Sequence, residues 1–283
     1  MRWSPGGRSS DIEDRRGGGG MGGLRMGGGL GLGGIVILLL LSFVFKKNFF
    51  TLLSTDQAGA PTTQSNPVDD PAEEPQVQFV SFVLDDAQKT WTGILAERGV
   101  DYPRAKLVLF RDAVQSACGV AESASGPFYC PGDQKAYIDL SFYDELKQRF
   151  DASGDFAQAY VLAHEIGHHV QNVLGIERKV RAAMQQNPSS RNALSVRMEL
   201  QADCFAGIWG HSTEQRNILE AGDVDEALNA AAAIGDDRIQ KMSGRGVSPD
   251  SFTHGSSEQR AYWFKQGFQS GRLEACDTFN SSR

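Results

Sequence analysis

The chain is short of the residues that build most metal and redox centres. Five histidines and four cysteines are spread over 283 residues, and no pair of cysteines has the C-x-x-C spacing. That excludes a thiolate zinc cluster as the organising centre. An excess of positive charge is also missing: the net charge is −7, which removes the overall electrostatic case for nucleic-acid binding. There is no internal repeat, and long apolar runs are absent apart from one. With 40% hydrophobic and 22% charged residues, the composition fits a globular majority. It does not fit a polytopic membrane protein or a wholly disordered chain.

What is present is unevenly distributed. Fourteen of the 32 glycines fall in residues 1–34, a segment whose five arginines and three acids leave it at +2. Residues 28–45 read GGLGLGGIVILLLLSFVF, eighteen residues without a charge. About 20 apolar residues span a bilayer core and ~17 suffice, so this run is predicted to be a single transmembrane helix. The alternative, a cleaved signal peptide, is disfavoured by the depth of the run. The only small-x-small site nearby, Ala58-Gly59-Ala60, lies far downstream and is followed by Pro61. Five arginines precede the run and Lys46 and Lys47 close it. The positive-inside rule therefore predicts residues 1–27 in the cytoplasm and everything after the helix in the periplasm or outside the cell. Residues 46–78 read as a disordered tether: Ser54–Gln78 holds four of the ten prolines and five acids with no base. Such a stretch cannot bury enough surface to offset its ordering entropy. The 205 residues 79–283 make one domain.

Within that domain the expected fold class is α+β, helix-dominated, with a small sheet. Helices are predicted over Phe82–Arg98, Asp155–Leu174, Asn192–Trp209 and from Ser256 or Ser257 to Phe268, and an Asp223/Glu226 capping box opens the alanine-rich 227–234. Lys106–Phe110 and the alternating Ala136–Phe142 read as strands. The second of these is either an inner strand or one to which an extended peptide could add.

The informative segment is Tyr160-Val-Leu-Ala-His164-Glu165-Ile-Gly-His168-His169-Val-Gln171. His164 and His168 are four residues apart, on one helical face, where two imidazoles can converge on one metal ion. Glu165 lies about 100° round the helix, poorly placed as a ligand but able to reach a water on the metal. The bland alternative is a polar surface helix, since HExxH arises by chance. Three of the five histidines, however, share this one turn. Glu199 and Asp203, on a second predicted helix, are again four apart, beside the small residues Ala202 and Ala206. Two histidines and Glu199 would leave one zinc position open, and Asp203 could accept a ligand ring N–H. The competing reading of this pair is a solvated acidic face. His254, in a loop before the last helix, either donates to a developing oxyanion or is merely exposed. Arg260 could orient it, or hold Glu199 or a substrate carboxylate. His169 is expected to be a hydrogen-bonding neighbour, and His211 a helix C-terminal cap.

These residues resemble the predicted neutral zinc metallopeptidases of bacterial single-pass membrane proteins. The resemblance runs over nearly the whole chain, from MRWSPGGRSSDIEDRRG through HEIGHHVQ and ELQADCFAG to THGSSEQR. More widely it is similar to gluzincins, in which HExxH is paired with a downstream glutamate. The resemblance implies a zincin-like domain with His164, His168 and Glu199 on one zinc ion, Glu165 as general base and Asp203 behind a ligand. It also implies a peptide or protein substrate. The chain departs from the pattern at Gly255, where those peptidases commonly carry proline. Zinc is favoured over other metals by the ligand set. A catalytically silent, metal-stabilised binding or scaffold protein at the cell envelope is the rival reading.

Outside the cytoplasm the four cysteines are expected to pair. Cys118 and Cys130 bracket a Gly/Ser-rich loop and form the natural local pair, leaving Cys204 for Cys276. The alternative for Cys204 is a buried free thiol.

Overall fold

The computed structural model describes residues 1–17, 71–244 and 246–281. The predicted membrane helix 28–45, and the tether as far as residue 70, lie outside the described residues. Among those described, no helix is long and apolar enough to cross a membrane. The architecture is α+β and helix-dominated, with one four-stranded and one two-stranded sheet.

Helix α1 (Glu74–Ala96) carries Pro75 in its first turn, where the missing N–H would be unpaired anyway. It begins inside the stretch assigned above to the tether, which corrects that boundary. Val77, Phe79 and Val80 are buried, and each such side chain stabilises by about 1.5–3 kcal/mol. That outweighs the proline- and acid-rich composition around them.

The larger sheet has the order β1 (Ile12–Asp14), β2 (Lys106–Phe110), β6 (Lys135–Asp139), β5 (Phe128–Cys130). The first three run parallel, and β5 pairs antiparallel with β6. Strand β2 is covered on both faces, as its unbroken apolar sequence requires. Leu107 and Leu109 join the main core with α1 residues Leu84, Trp91 and Leu95, whereas Val108 and Phe110 join Tyr137, Val114 and Cys130 on the opposite side. The hairpin of β3 (Ala113–Ser116) and β4 (Gly119–Glu122) supplies Val114 to this second cluster.

Strand β6 ends at Asp139, short of the predicted Phe142. The Asp139 carboxylate accepts the Ser141 N–H at 3.0 Å, where α2 (Ser141–Gln148) begins. Lying between β2 and β5, β6 is an inner strand, so the candidate for strand addition passes to β5 at the edge.

Residues 1–17, expected to stand apart from the domain, fold into the same compact unit. Strand β1 is hydrogen-bonded to β2, Met1 is buried, and Trp3 packs its ring on Phe79 at 5.2 Å.

The remaining helices are α3 (Asp155–Val173), α4 (Ile176–Gln186), α5 (Arg191–Gln215), α6 (Asp223–Ala233), α7 (Asp236–Met242) and α8 (Ser257–Ser270). Helix α3 stops where Gly175 takes a left-handed φ of 70°, the conformation glycine adopts most cheaply. The predicted box at α6 is differently used: no side chain caps that helix, and the Glu226 carboxylate accepts the Phe156 N–H at 3.1 Å, in the first turn of α3. Ser256 and Gln259 do form a reciprocal capping box on α8. Helices α5 and α8 touch backbone to backbone, since a Cβ on Gly267 would come within 1.9 Å of the Cys204 carbonyl oxygen. Disulfides join Cys118 to Cys130 and Cys204 to Cys276, the latter tying α5 to the C-terminal segment.

Candidate metal centre

Helix α3 has an apolar side, with Leu162, Ile166 and Val170 in the core, and an opposite side bearing His164 and His168. Helix α5 crosses it at Gly167, where a Cβ would come within 2.9 Å of the Ala202 carbonyl oxygen. This close approach, allowed by a missing side chain, brings Glu199 to the histidines. One carboxylate oxygen of Glu199 lies 3.2 Å from His164 Nε2 and the other 3.5 Å from His168 Nε2.

The far side of each ring fixes its tautomer. His164 Nδ1–H donates to Asp203 Oδ1 at 2.8 Å, because a carboxylate can only accept. His168 Nδ1–H donates to Gln171 Oε1 at 2.8 Å, and the Gln171 amide nitrogen is committed to the Met198 carbonyl at 2.7 Å. With both rings neutral, as metal binding requires, both Nε2 lone pairs face the Glu199 carboxylate. Lone pairs facing a carboxylate repel one another unless a cation sits among them, and two imidazoles with one carboxylate suit zinc. The three ligand atoms lie within 4.8 Å of one another. The residues present thus fit a zinc ion.

The electrostatics agree. Burial alone would suppress charge on His164, but the Asp203 and Glu199 carboxylates outweigh it and push its pKa up to about 10. Burial also opposes ionisation of Glu199, yet His168 and His164 hold it well below the ordinary carboxylate range. The site is built to hold positive charge. Glu165, buried on the neighbouring face, has its pKa raised by desolvation, only partly offset by the two histidines.

Behind the histidines lies a buried network that the sequence reading did not foresee in full. Arg260 grips Asp203 through two 2.9 Å hydrogen bonds, and the Tyr160 hydroxyl donates to Asp203 at 2.5 Å. Of the roles open to Arg260, orienting His254 is therefore not the one adopted; its partner is Asp203. Tyr160, one turn before His164, carried a spacing signal that could have flagged it. His254 is oriented instead by Asp236, whose carboxylate accepts the His254 backbone N–H at 2.6 Å and lies 3.3 Å from the ring Nδ1. Asp236 also accepts the Thr253 and Gly255 N–H groups, and nothing in the sequence marks it eighteen residues upstream. His254 itself is half exposed and its pKa is raised by the Asp236 hydrogen bond. His211 Nδ1–H donates to the Phe268 carbonyl at 2.7 Å and its Nε2 accepts from the Gln215 amide at 2.9 Å, so it ties α5 to the end of α8.

The histidines open into a cleft of about 820 Å³ whose walls include Phe128, Tyr129, Phe142, Val161, Met184 and His254. Edge strand β5 thus runs beside the candidate metal site.

Two curated relatives place the chain. The "Uncharacterized protein YpfJ" of Escherichia coli (strain K12) is 48% identical over 290 residues, covering all of both chains. The "Uncharacterized protein Rv2575" of Mycobacterium tuberculosis (strain ATCC 25618 / H37Rv) is 43% identical over 192 residues, 64% of each chain. No solved structure matches. A match running from residue 1 to residue 279, with the histidine turn, Glu199 and the N-terminal strand all inside it, shows that the chain belongs to the family described as "Putative neutral zinc metallopeptidase".

Proposed function

We propose that this protein is a zinc-dependent peptidase that cleaves a peptide lying extended along the cleft. The observation that carries the reading is the convergence of His164 Nε2, His168 Nε2 and the Glu199 carboxylate from two helices. Zinc, when bound there, would polarise the scissile carbonyl and acidify the attacking water.

The chain's own groups do the rest. Glu165, with its affinity for a proton raised by burial, takes the proton of the attacking water and passes it to the leaving amine. His254, held by Asp236 at the mouth of the cleft, donates a hydrogen bond to the oxygen on which negative charge develops. Asp203 holds the His164 ring with Nε2 facing Glu199, and Arg260 and Tyr160 hold Asp203. The edge of β5 offers backbone groups to an extended substrate.

The test is metal analysis of the full chain with a peptide-library cleavage assay on the same preparation, repeated on Glu165→Gln. Expected are one zinc per chain in both proteins and cleavage by the unaltered chain alone. Equal cleavage by the variant would refute the role given to Glu165. Zinc without cleavage in either protein would favour the scaffold reading.

A further inference from the structure

The described residues on either side of the 18–70 stretch are tied together. Before it, β1 pairs with β2 in the register Ile12↔Leu107, Glu13↔Val108, Asp14↔Leu109. The Leu107 N–H donates to the Asp11 carbonyl and the Arg15 N–H to the Leu109 carbonyl, both at 2.8 Å. The buried Asp11 carboxylate is held by Lys106 at 2.8 Å and Gln88 at 3.1 Å, and Glu13 by Lys135 of β6 at 2.7 Å. After the stretch, Glu73 and Glu74 lead into α1. Arg16 Nη1 lies 2.5 Å from Glu73 Oε2, and Arg8 Nη2 lies 2.5 Å from Glu74 Oε2. The Arg16 side chain is 1% exposed, so the first of these bonds is an interior contact and not an incidental surface pair.

This closure constrains topology. Paired strands lie about 5 Å apart, whereas a bilayer's hydrocarbon core is about 30 Å thick. A chain that crosses once leaves its two flanks on opposite faces, which would separate Arg16 from Glu73 and β1 from β2. Two crossings would preserve both contacts but need two spans. The sequence offers one uncharged run of bilayer length, residues 28–45, which at about 1.5 Å per residue suffices for a single crossing.

We propose that residues 1–17 and the body from residue 71 onward lie on the same side of any membrane this protein meets. This replaces the single-pass arrangement predicted from the arginines, and it is independent of catalysis.

Thiol labelling in intact cells tests it. All four native cysteines are paired in disulfides, and the chain with no added cysteine sets the background labelling in either compartment. Full-length Ser4→Cys and Glu97→Cys, both at exposed positions, are treated with a membrane-impermeant maleimide before and after permeabilisation. The expected result is equal behaviour: both sites labelled in intact spheroplasts, or both protected until the membrane is opened. Which of the two occurs identifies the compartment. Labelling of Glu97→Cys with protection of Ser4→Cys, or the reverse, would overturn the proposal and restore a single crossing.

Discussion

The hydroxyl of Tyr129, on edge strand β5, lies 2.9 Å from Nδ1 of His169, on helix α3. His169 Nε2–H donates to the Pro103 carbonyl at 2.6 Å, so Nδ1 is the acceptor and the tyrosine donates. Asn172 then donates to the same hydroxyl oxygen at 3.0 Å. Strand β5 is thereby fixed against the helix that carries His164 and His168. A net hydrogen bond contributes about 0.5–1.5 kcal/mol. Tyr129→Phe is accordingly expected to raise KM by roughly 2–12-fold with little change in kcat or zinc content. An unchanged KM in peptide kinetics would show that the latch does not position substrate.

Asp203 joins His164, the proposed zinc ligand, to the buried cation Arg260. Replacing it by Asn should weaken zinc binding by roughly 10–100-fold, as loss of such outer partners does. It also strands a charge that is 2% exposed, at a cost of about 3–5 kcal/mol. Competition against a chelator and denaturant unfolding measure the two effects separately. Unaltered zinc affinity would mean that Asp203 does not orient His164.

Zinc that binds the folded chain alone stabilises it by mass action, about 4 kcal/mol when present at ~1,000 times its Kd. For a domain of this size that corresponds to a Tm shift of roughly 8–16 °C. Calorimetry with and without chelator should show the shift in the unaltered chain, and Glu199→Ala should lose most of it.

Asp236 and His254 shift in opposite directions, and both shifts strengthen their pairing. The Asp236 hydrogen bond raises the His254 pKa, so that residue's contribution to stability is complete below the ordinary value of about 6.5 and fades as pH rises through the higher folded value. Although burial opposes it, hydrogen bonds from His254 and the loop backbone lower the Asp236 pKa. Its contribution is complete above the ordinary carboxylate value and is lost as pH falls through the lower folded value. In Asp236→Asn the His254 ring should titrate closer to 6.5 by NMR. No change would show that Asp236 does not set the ring's charge.

Gly267 leaves room for α5 and α8 to touch. Gly267→Ala puts a Cβ 1.9 Å from the Cys204 carbonyl oxygen, where only backbone movement can relieve it. Overpacking of this kind typically costs about 1–3 kcal/mol. Denaturant unfolding should show a loss at or above that range, with zinc affinity reduced if the displacement reaches Glu199.

Much of this architecture is local, and local features are legible in a sequence. The 3.6-residue spacing that puts His164 beside His168 also puts Glu199 beside Asp203, and a helix imposes it wherever it forms. The capping box at Ser256 and the break at Gly175 are equally short-range. Glu226 shows the limit. Its position three residues after Asp223 suggests a cap, but its carboxylate serves Phe156, seventy residues earlier.

Composition misleads most where tertiary burial intervenes. Residues 74–78 look like tether, and residues 1–17 like a basic cytoplasmic tail, until Val77 and Ile12 find partners across the fold. Asp236 and Tyr129 act through loops and strands remote in sequence, so no periodicity announces them.

The helix-dominated class, the histidine pair, the glutamate beside it and the acidic pair on a second helix are all readable from the residues alone, because each is set by the repeat of a single helix. Packing of the whole chain was needed to bring Glu199 to both imidazoles, to pair Asp203 with Arg260, to leave β5 at a sheet edge and to add the N-terminal strand to the sheet. Most of those relationships join segments tens of residues apart, and they rest on close backbone approach and buried charge pairing, which arise only when the chain is packed.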